Sequence, residues 1–194
     1  MEKIDLNLPD ATIHYYPKFL ATDDANTIFE QLLQETPWQE DFITVFGKTY
    51  PQPRLTALYA NNNKAYSYSS VTMNPHLFTT TLQFLQNRLK LILPIDFTTC
   101  LLNLYRNGKD SNGWHADNEK ELGTNPVIAS VSLGASRMFQ MKHRFQKEIK
   151  SKLVLENGSL LLMRGTTQHY WLHQIPKTTK VVGPRINLTF RVIR

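Results

Sequence analysis

The chain has 194 residues, 41% of them hydrophobic and 20% charged, which suits one soluble globular domain and excludes a disordered or fibrous chain. The formal charge of +6 and a pI of about 9.4 lean toward polyanionic partners, a lean that many soluble proteins share. The single cysteine, Cys100, excludes an intrachain disulfide and disfavours a thiolate zinc site, and its apolar neighbours suggest a buried small hydrophobe. No apolar run approaches the roughly 20 residues that cross a bilayer, and residues 1–10 do not resemble a signal peptide, so an intracellular protein without membrane segments is expected.

Residues 13–19 are a short aromatic segment. Thr22 then caps a helix over 23–35, whose acidic first turn suits the helix dipole and whose Ile28, Phe29, Leu32 and Leu33 fall at helical spacing; Pro37 ends it. Residues 42–50 read as a strand, a tight turn at Gly47 and a return, and 54–59 as another strand. Residues 61–64 form a loop. Asn74-Pro75 supplies a cap and an N-terminal proline for a second helix, with Leu77, Phe78, Leu82, Leu85, Leu89 and Ile92 as its core-facing stripe before Pro94. The rest is β-rich, with segments at 98–105, 127–133, 137–142, 152–155, 159–163, 169–172 and 185–193, divided by turn residues such as Gly134, Asn157-Gly158, Gly165 and Gly183-Pro184. Closely spaced strands after two helices point to an α+β fold: a sandwich or jelly roll with helices packed outside.

The stretch 103–117 organises the chain. A strand pattern runs into a Gly-containing loop that delivers His115 and Asp117, and residues two apart in extended backbone point to one side. With a second, distant histidine from 169–176, these groups make the three-ligand set that non-heme Fe(II) takes; a surface or core histidine is the plainer alternative. The last strand alternates strictly, with Arg185, Asn187, Thr189 and Arg191 on one face and Ile186, Leu188 and Phe190 on the other. Burying two guanidinium groups without anions is costly, so that face is either open to solvent or holds a carboxylate ligand. Asn103 and Tyr105 share a strand face and would add donors to such an anion.

The set Asn103-x-Tyr105, His115-x-Asp117, His173 and Arg185-x-Asn187-x-Thr189-x-Arg191 resembles the AlkB family of Fe(II)/2-oxoglutarate dioxygenases. Upstream, Val45-Phe46-Gly47-Lys48, Pro53-Arg54 and Tyr66-Ser67-Tyr68 resemble the branch that repairs alkylated double-stranded DNA. The resemblance implies a double-stranded β-helix (jelly roll), as one dioxygenase domain over 1–194. Helices and nucleotide-recognition hairpins would fill 1–97, and the jelly-roll catalytic core 98–194. It implies Fe(II) on His115, Asp117 and His173, with 2-oxoglutarate and O2 as cosubstrates. The far carboxylate of 2-oxoglutarate would meet Arg185, helped by Tyr105 and Thr189, with Asn103 and Arg191 at the metal-side end and Asn187 on the same face.

The implied reaction is oxidative demethylation of bases such as 1-methyladenine and 3-methylcytosine, releasing formaldehyde, succinate and CO2. A flipped base would stack on Tyr66 and Tyr68 beside Ser67, and Phe46 at the Gly47 tip would fill the vacated space, although plain strand packing also accounts for these aromatics. Lys48 and Arg54 would meet phosphates, and the basic run 142–152, with Lys177 and Lys180, would lie near the opposite strand. Two departures bear on substrate range: Asn118 stands where the branch commonly has a second acid, and Tyr68 where phenylalanine is common. The partner expected is alkylated DNA, double- or single-stranded, with RNA also open, and the protein is expected to be a monomer. The rival readings are a demethylase of the same fold acting on RNA or protein, and a non-catalytic nucleic-acid-binding module.

Overall fold

The computed structural model describes residues 1–45, 47–61, 66–68 and 71–193. The expected positions Phe46, Asn62, Asn63 and Lys64 lie outside them. In chain order the elements are β1 (Ile4–Asp5), β2 (Thr12–Tyr16), α1 (Thr22–Glu35), β3 (Phe42–Val45), β4 (Lys48–Pro51), β5 (Leu55–Ala60), β6 (Tyr66–Tyr68), β7 (Val71–Met73), β8 (His76–Leu77) and α2 (Thr80–Lys90). There follow β9 (Thr99–Tyr105), β10 (Asn112–His115), β11 (Ile128–Gly134), β12 (Arg137–His143), β13 (Lys150–Leu155), β14 (Ser159–Arg164), the short α3 (Thr167–Tyr170), β15 (Trp171–Ile175) and β16 (Arg185–Arg191).

Among the described residues, eight strands form one sheet in the order β1-β2-β14-β11-β16-β9-β5-β8, and four form a second in the order β10-β15-β12-β13. β3 pairs with β4 and β6 with β7 as separate hairpins. Because side chains alternate along a strand, the large sheet builds two cores. Ile186, Leu188 and Phe190 of β16, with Leu102 and Leu104 of β9, pack under Ile28, Leu32, Leu82, Leu85 and Leu89 of the two long helices. The opposite face contributes Tyr105, Ile128, Leu161 and Met163, which meet Phe139, Met141, Trp171 and Ile175 of the small sheet. Covered on both faces, β9 and β16 are buried along their whole length. The polar positions of β16 therefore face the space between the sheets.

Four expectations need correction. Helix α1 spans the expected residues, but Ala21 holds the cap position and no side chain caps it. The second helix begins at Thr80, not after Pro75, with Thr79 Oγ1 accepting from the Leu82 N–H. Asn74-Pro75 instead leads into β8, which adds in parallel to β5, so edge pairing of the sheet overrides a good local helix start. Residues 112–115, read as loop, form β10 against β15, and 167–170, read partly as strand, form a helical turn before β15. From residues 1–97, β1, β2, β5 and β8 join the large sheet. Gly134 marks the end of β11 at φ +80, where a Cβ would lie 2.6 Å from the Phe29 ring and from the Pro184 carbonyl; only glycine fits this turn beside Arg185.

Candidate metal and cosubstrate site

Pairing of β10 with β15 sets His115 directly opposite His173, with ring centroids 4.3 Å apart. Asp117 follows β10, and its backbone N–H donates to the buried Gln168 side chain at 2.9 Å, which pins the turn. The ligand atoms of His115, Asp117 and His173 all lie within 4.8 Å of one another. His115 Nδ1 lies 2.7 Å from the Gly113 carbonyl, so the proton belongs on Nδ1; the Nε2 lone pair, 3.8 Å from Asp117 Oδ1, accepts from Asn112 Nδ2 at 3.3 Å, a contact that a metal would replace. This is the donor set and spacing that suit Fe(II).

Burial would push the Asp117 carboxyl up, but Arg191, His173 and His115 overrule it and hold the group at about 2. Arg191 Nη2 donates to Asp117 Oδ1 at 2.9 Å with both side chains buried. Burial pushes His173 down to about 3, reinforced by His115 and opposed by Asp117, and lowers His115 as well. Both rings are neutral near pH 7. The unfolded chain takes up protons on them as pH falls below the ordinary 6.5 while the folded chain resists, so the folded state loses stability from there toward pH 3. Thermal unfolding of chelator-treated protein should therefore show Tm falling between about pH 7 and about pH 5. A flat profile would contradict the burial of the two rings.

The register of β16 places the polar face. Arg185 is opposite Tyr105 and Asn187 opposite Asn103 on β9, while Thr189 and Asn187 lie beside Ser130 and Ser132 of β11. Asn187 Nδ2 donates to Ser130 Oγ at 2.7 Å, and Thr189 Oγ1 donates to Asn187 Oδ1 at 3.1 Å. Arg185 is 1% exposed, donates Nη2 to Ser132 Oγ at 2.9 Å, and stands 5.2 Å from the Tyr105 ring. Its Nε and Nη1 find no hydrogen-bond partner among the described residues, and burial pushes its pKa down to about 10. A guanidinium this buried and this poorly matched calls for an anion. One cavity brings together the nine residues read as metal or cosubstrate contacts: His115, Asp117, His173, Asn103, Tyr105, Arg185, Asn187, Thr189 and Arg191.

Of the residues read as substrate contacts, the structure describes the surroundings of only some. Arg54, read as a phosphate contact, is 5% exposed and donates Nε to Asn103 Oδ1 at 2.8 Å; it lies behind the cavity wall, and its charge helps depress His115. That burial corrects the phosphate expectation. Gly47 turns the β3–β4 hairpin at φ +74, and Gly47, Lys48 and Asn118 are exposed. Tyr66, Ser67 and Tyr68 form the strand β6. In the basic run 142–152, residues 144–149 connect β12 to β13 and the ends lie in those strands, with Lys142 Nζ 4.4 Å from the centroid of the half-exposed Trp114 ring. Glu119 escaped the sequence reading. Its Oε2 has no partner among the described residues, and burial raises its pKa; its two-residue spacing from Asp117 was the available signal.

Fold and site together define a class. Residues 12–191 match the model of the 2OG-Fe(II) oxygenase superfamily, and the chain belongs to that family, named for the Fe(II) and 2-oxoglutarate its members use. Among its relatives, alpha-ketoglutarate-dependent dioxygenase alkB homolog 3 of Homo sapiens is 42% identical over 92% of this chain and 65% of that protein. DNA oxidative demethylase ALKBH2 of Mus musculus is 34% identical over 92% of this chain and 79% of that protein. The chain spans about 64% of the length of the alkB homolog 3 protein of Bos taurus, to which it is 42% identical. A solved structure titled "The structure of OsALKBH1" superposes with a TM-score of 0.68 at 18% identity, covering 93% of this chain and 96% of that one, a likeness of fold.

Proposed function

We propose that this chain is an Fe(II)/2-oxoglutarate dioxygenase that removes N-alkyl groups from DNA bases, 1-methyladenine and 3-methylcytosine among them, in direct reversal of damage. One observation carries the reading: a His-Asp-His cluster and a buried, poorly matched guanidinium line the same cavity. The relatives named as alkB homolog 3 and DNA oxidative demethylase support the substrate class. The two stacked sheets are read as a double-stranded β-helix, and residues 1–194 as one catalytic domain acting as a monomer inside the cell. No described helix is long and apolar enough to cross a membrane.

Bound Fe(II) would supply the oxidation, in which O2 converts 2-oxoglutarate to succinate and CO2 and the N-methyl group leaves as formaldehyde. The chain's own residues do the rest. Three ligands on one side leave room for the cosubstrate and O2, and neutral histidines with an ionised Asp117 favour a divalent cation at neutral pH. Arg191 restrains the Asp117 carboxylate, and Arg54 restrains the Asn103 amide. Arg185 and Tyr105 would seat the distal carboxylate, because a two-pronged charged donor matches it geometrically. On the substrate side, a base must leave the stack to reach this cavity, and Phe46 beside the Gly47 turn would fill its place, with Tyr66 and Tyr68 stacking on the extruded ring.

The test is mass spectrometry of methylated single- and double-stranded oligonucleotides incubated with protein, Fe(II) and 2-oxoglutarate. Loss of the methyl mass with matching succinate is expected, together with a larger deficit on duplex than on single strand for Phe46→Ala. Demethylation of RNA alone would move the reading to the same chemistry on another polymer, and binding without succinate would leave only a nucleic-acid-binding module.

A further inference from the structure

Beside Arg185 the structure holds a second buried guanidinium. Arg137 opens β12 and is 3% exposed. Its Nη1 donates to the Asn107 carbonyl at 3.1 Å, and its Nη2 to the carbonyls of Asp110 and Pro176, each at 2.8 Å. Arg137 therefore binds neutral dipoles, while the Asp110 carboxylate is taken by the Arg106 backbone N–H and guanidinium. The Tyr105 ring meets both cations, with Cζ of Arg137 5.6 Å and Cζ of Arg185 5.2 Å from its centroid.

The loops that Arg137 joins are locked to each other independently. Thr178 N–H donates to the Gly108 carbonyl at 2.8 Å, and a Cβ on Gly108 would lie 2.6 Å from the Thr178 carbonyl oxygen. Arg137 thus ties the β9–β10 loop to the segment after β15 and backs Tyr105 from a fixed position. The Asp110 carboxylate offsets part of the Arg137 charge, but Arg137 still opposes the charge on Arg185, so an anion arriving at Arg185 relieves that opposition.

We propose that Arg137 is a positioning residue for the cosubstrate: it holds Tyr105 beside Arg185 and adds a second positive charge behind the distal-carboxylate seat, making that seat selective for a dicarboxylate. This rests on the reading of Arg185 given above. At an effective dielectric typical of protein sites, a charge within several ångströms of the seat changes anion affinity by about tenfold.

Isothermal titration of the Mn(II)-loaded protein with 2-oxoglutarate, and with 2-oxopentanoate, which carries a methyl in place of the distal carboxylate, tests this. Arg137→Gln should weaken 2-oxoglutarate about tenfold and 2-oxopentanoate less than about threefold, and Arg137→Lys should stay within about threefold of wild type for both. Equal weakening of the two acids by Arg137→Gln, as a loosened cavity would give, overturns the proposal, as does an unchanged affinity for 2-oxoglutarate. Should Arg137→Gln fail to fold, Arg137→Lys decides alone: retained 2-oxoglutarate binding supports the charge, and a tenfold loss overturns it. Wild-type protein that binds no 2-oxoglutarate would instead overturn the reading of Arg185.

Discussion

Asp117→Ala should abolish metal binding and destabilise the metal-free fold by about 3–5 kcal/mol, because it removes the carboxylate that pairs with the buried Arg191 guanidinium. His173→Ala also loses the metal but leaves the Asp117–Arg191 pair in place, so the metal-free protein loses less stability. Turnover in both falls by roughly a thousandfold or more, about 4 kcal/mol at the barrier. Titration with Mn(II) and denaturant unfolding of chelator-treated variants separate the two effects. Equal unfolding free energies for Asp117→Ala and wild type would show that the pair contributes nothing to the fold.

Arg185→Met acts in opposite directions on stability and on binding. The side chain is fully buried with two donors unmatched among the described residues, so an apolar replacement of similar length should raise the unfolding free energy of the ligand-free protein by about 1–3 kcal/mol. The same change removes the charged donors of the proposed carboxylate seat, and 2-oxoglutarate affinity should drop by roughly a hundredfold or more. Chemical denaturation without ligand and calorimetry with 2-oxoglutarate read the two quantities. A variant both less stable and unchanged in affinity would mean that Arg185 is a structural residue only.

These effects trace back to patterns of different legibility. The alternation of β16 was readable because a period of two sorts residues by face whatever the partner strand, and a buried apolar face leaves Arg185 and Arg191 nowhere to go but inward. The family motif around His115 and Asp117 was equally local. The placement of Arg54 was not. A lone arginine after a proline reads as a surface cation, and only the pairing of Thr56 with Asn103 across β5 and β9 brings its guanidinium to the Asn103 amide. The start of α2 failed for the same reason: Asn74-Pro75 is a good helix opening, yet His76 and Leu77 gain backbone hydrogen bonds at the edge of the large sheet.

By itself the sequence determined the α+β class, the two long helices and the strict face of the last strand, which follow from short-range rules of periodicity, turn residues and the energetics of burying charge. The roles expected of His115, Asp117, His173 and Arg185 came instead from the resemblance of their motifs to a known family. Only the tertiary structure decided that β10 pairs with β15 to set His115 opposite His173, that Arg191 restrains Asp117, and that Arg137 and Arg185 meet at one tyrosine. Those contacts join residues far apart in the chain, and strand register, which no local pattern encodes, is what brings them together.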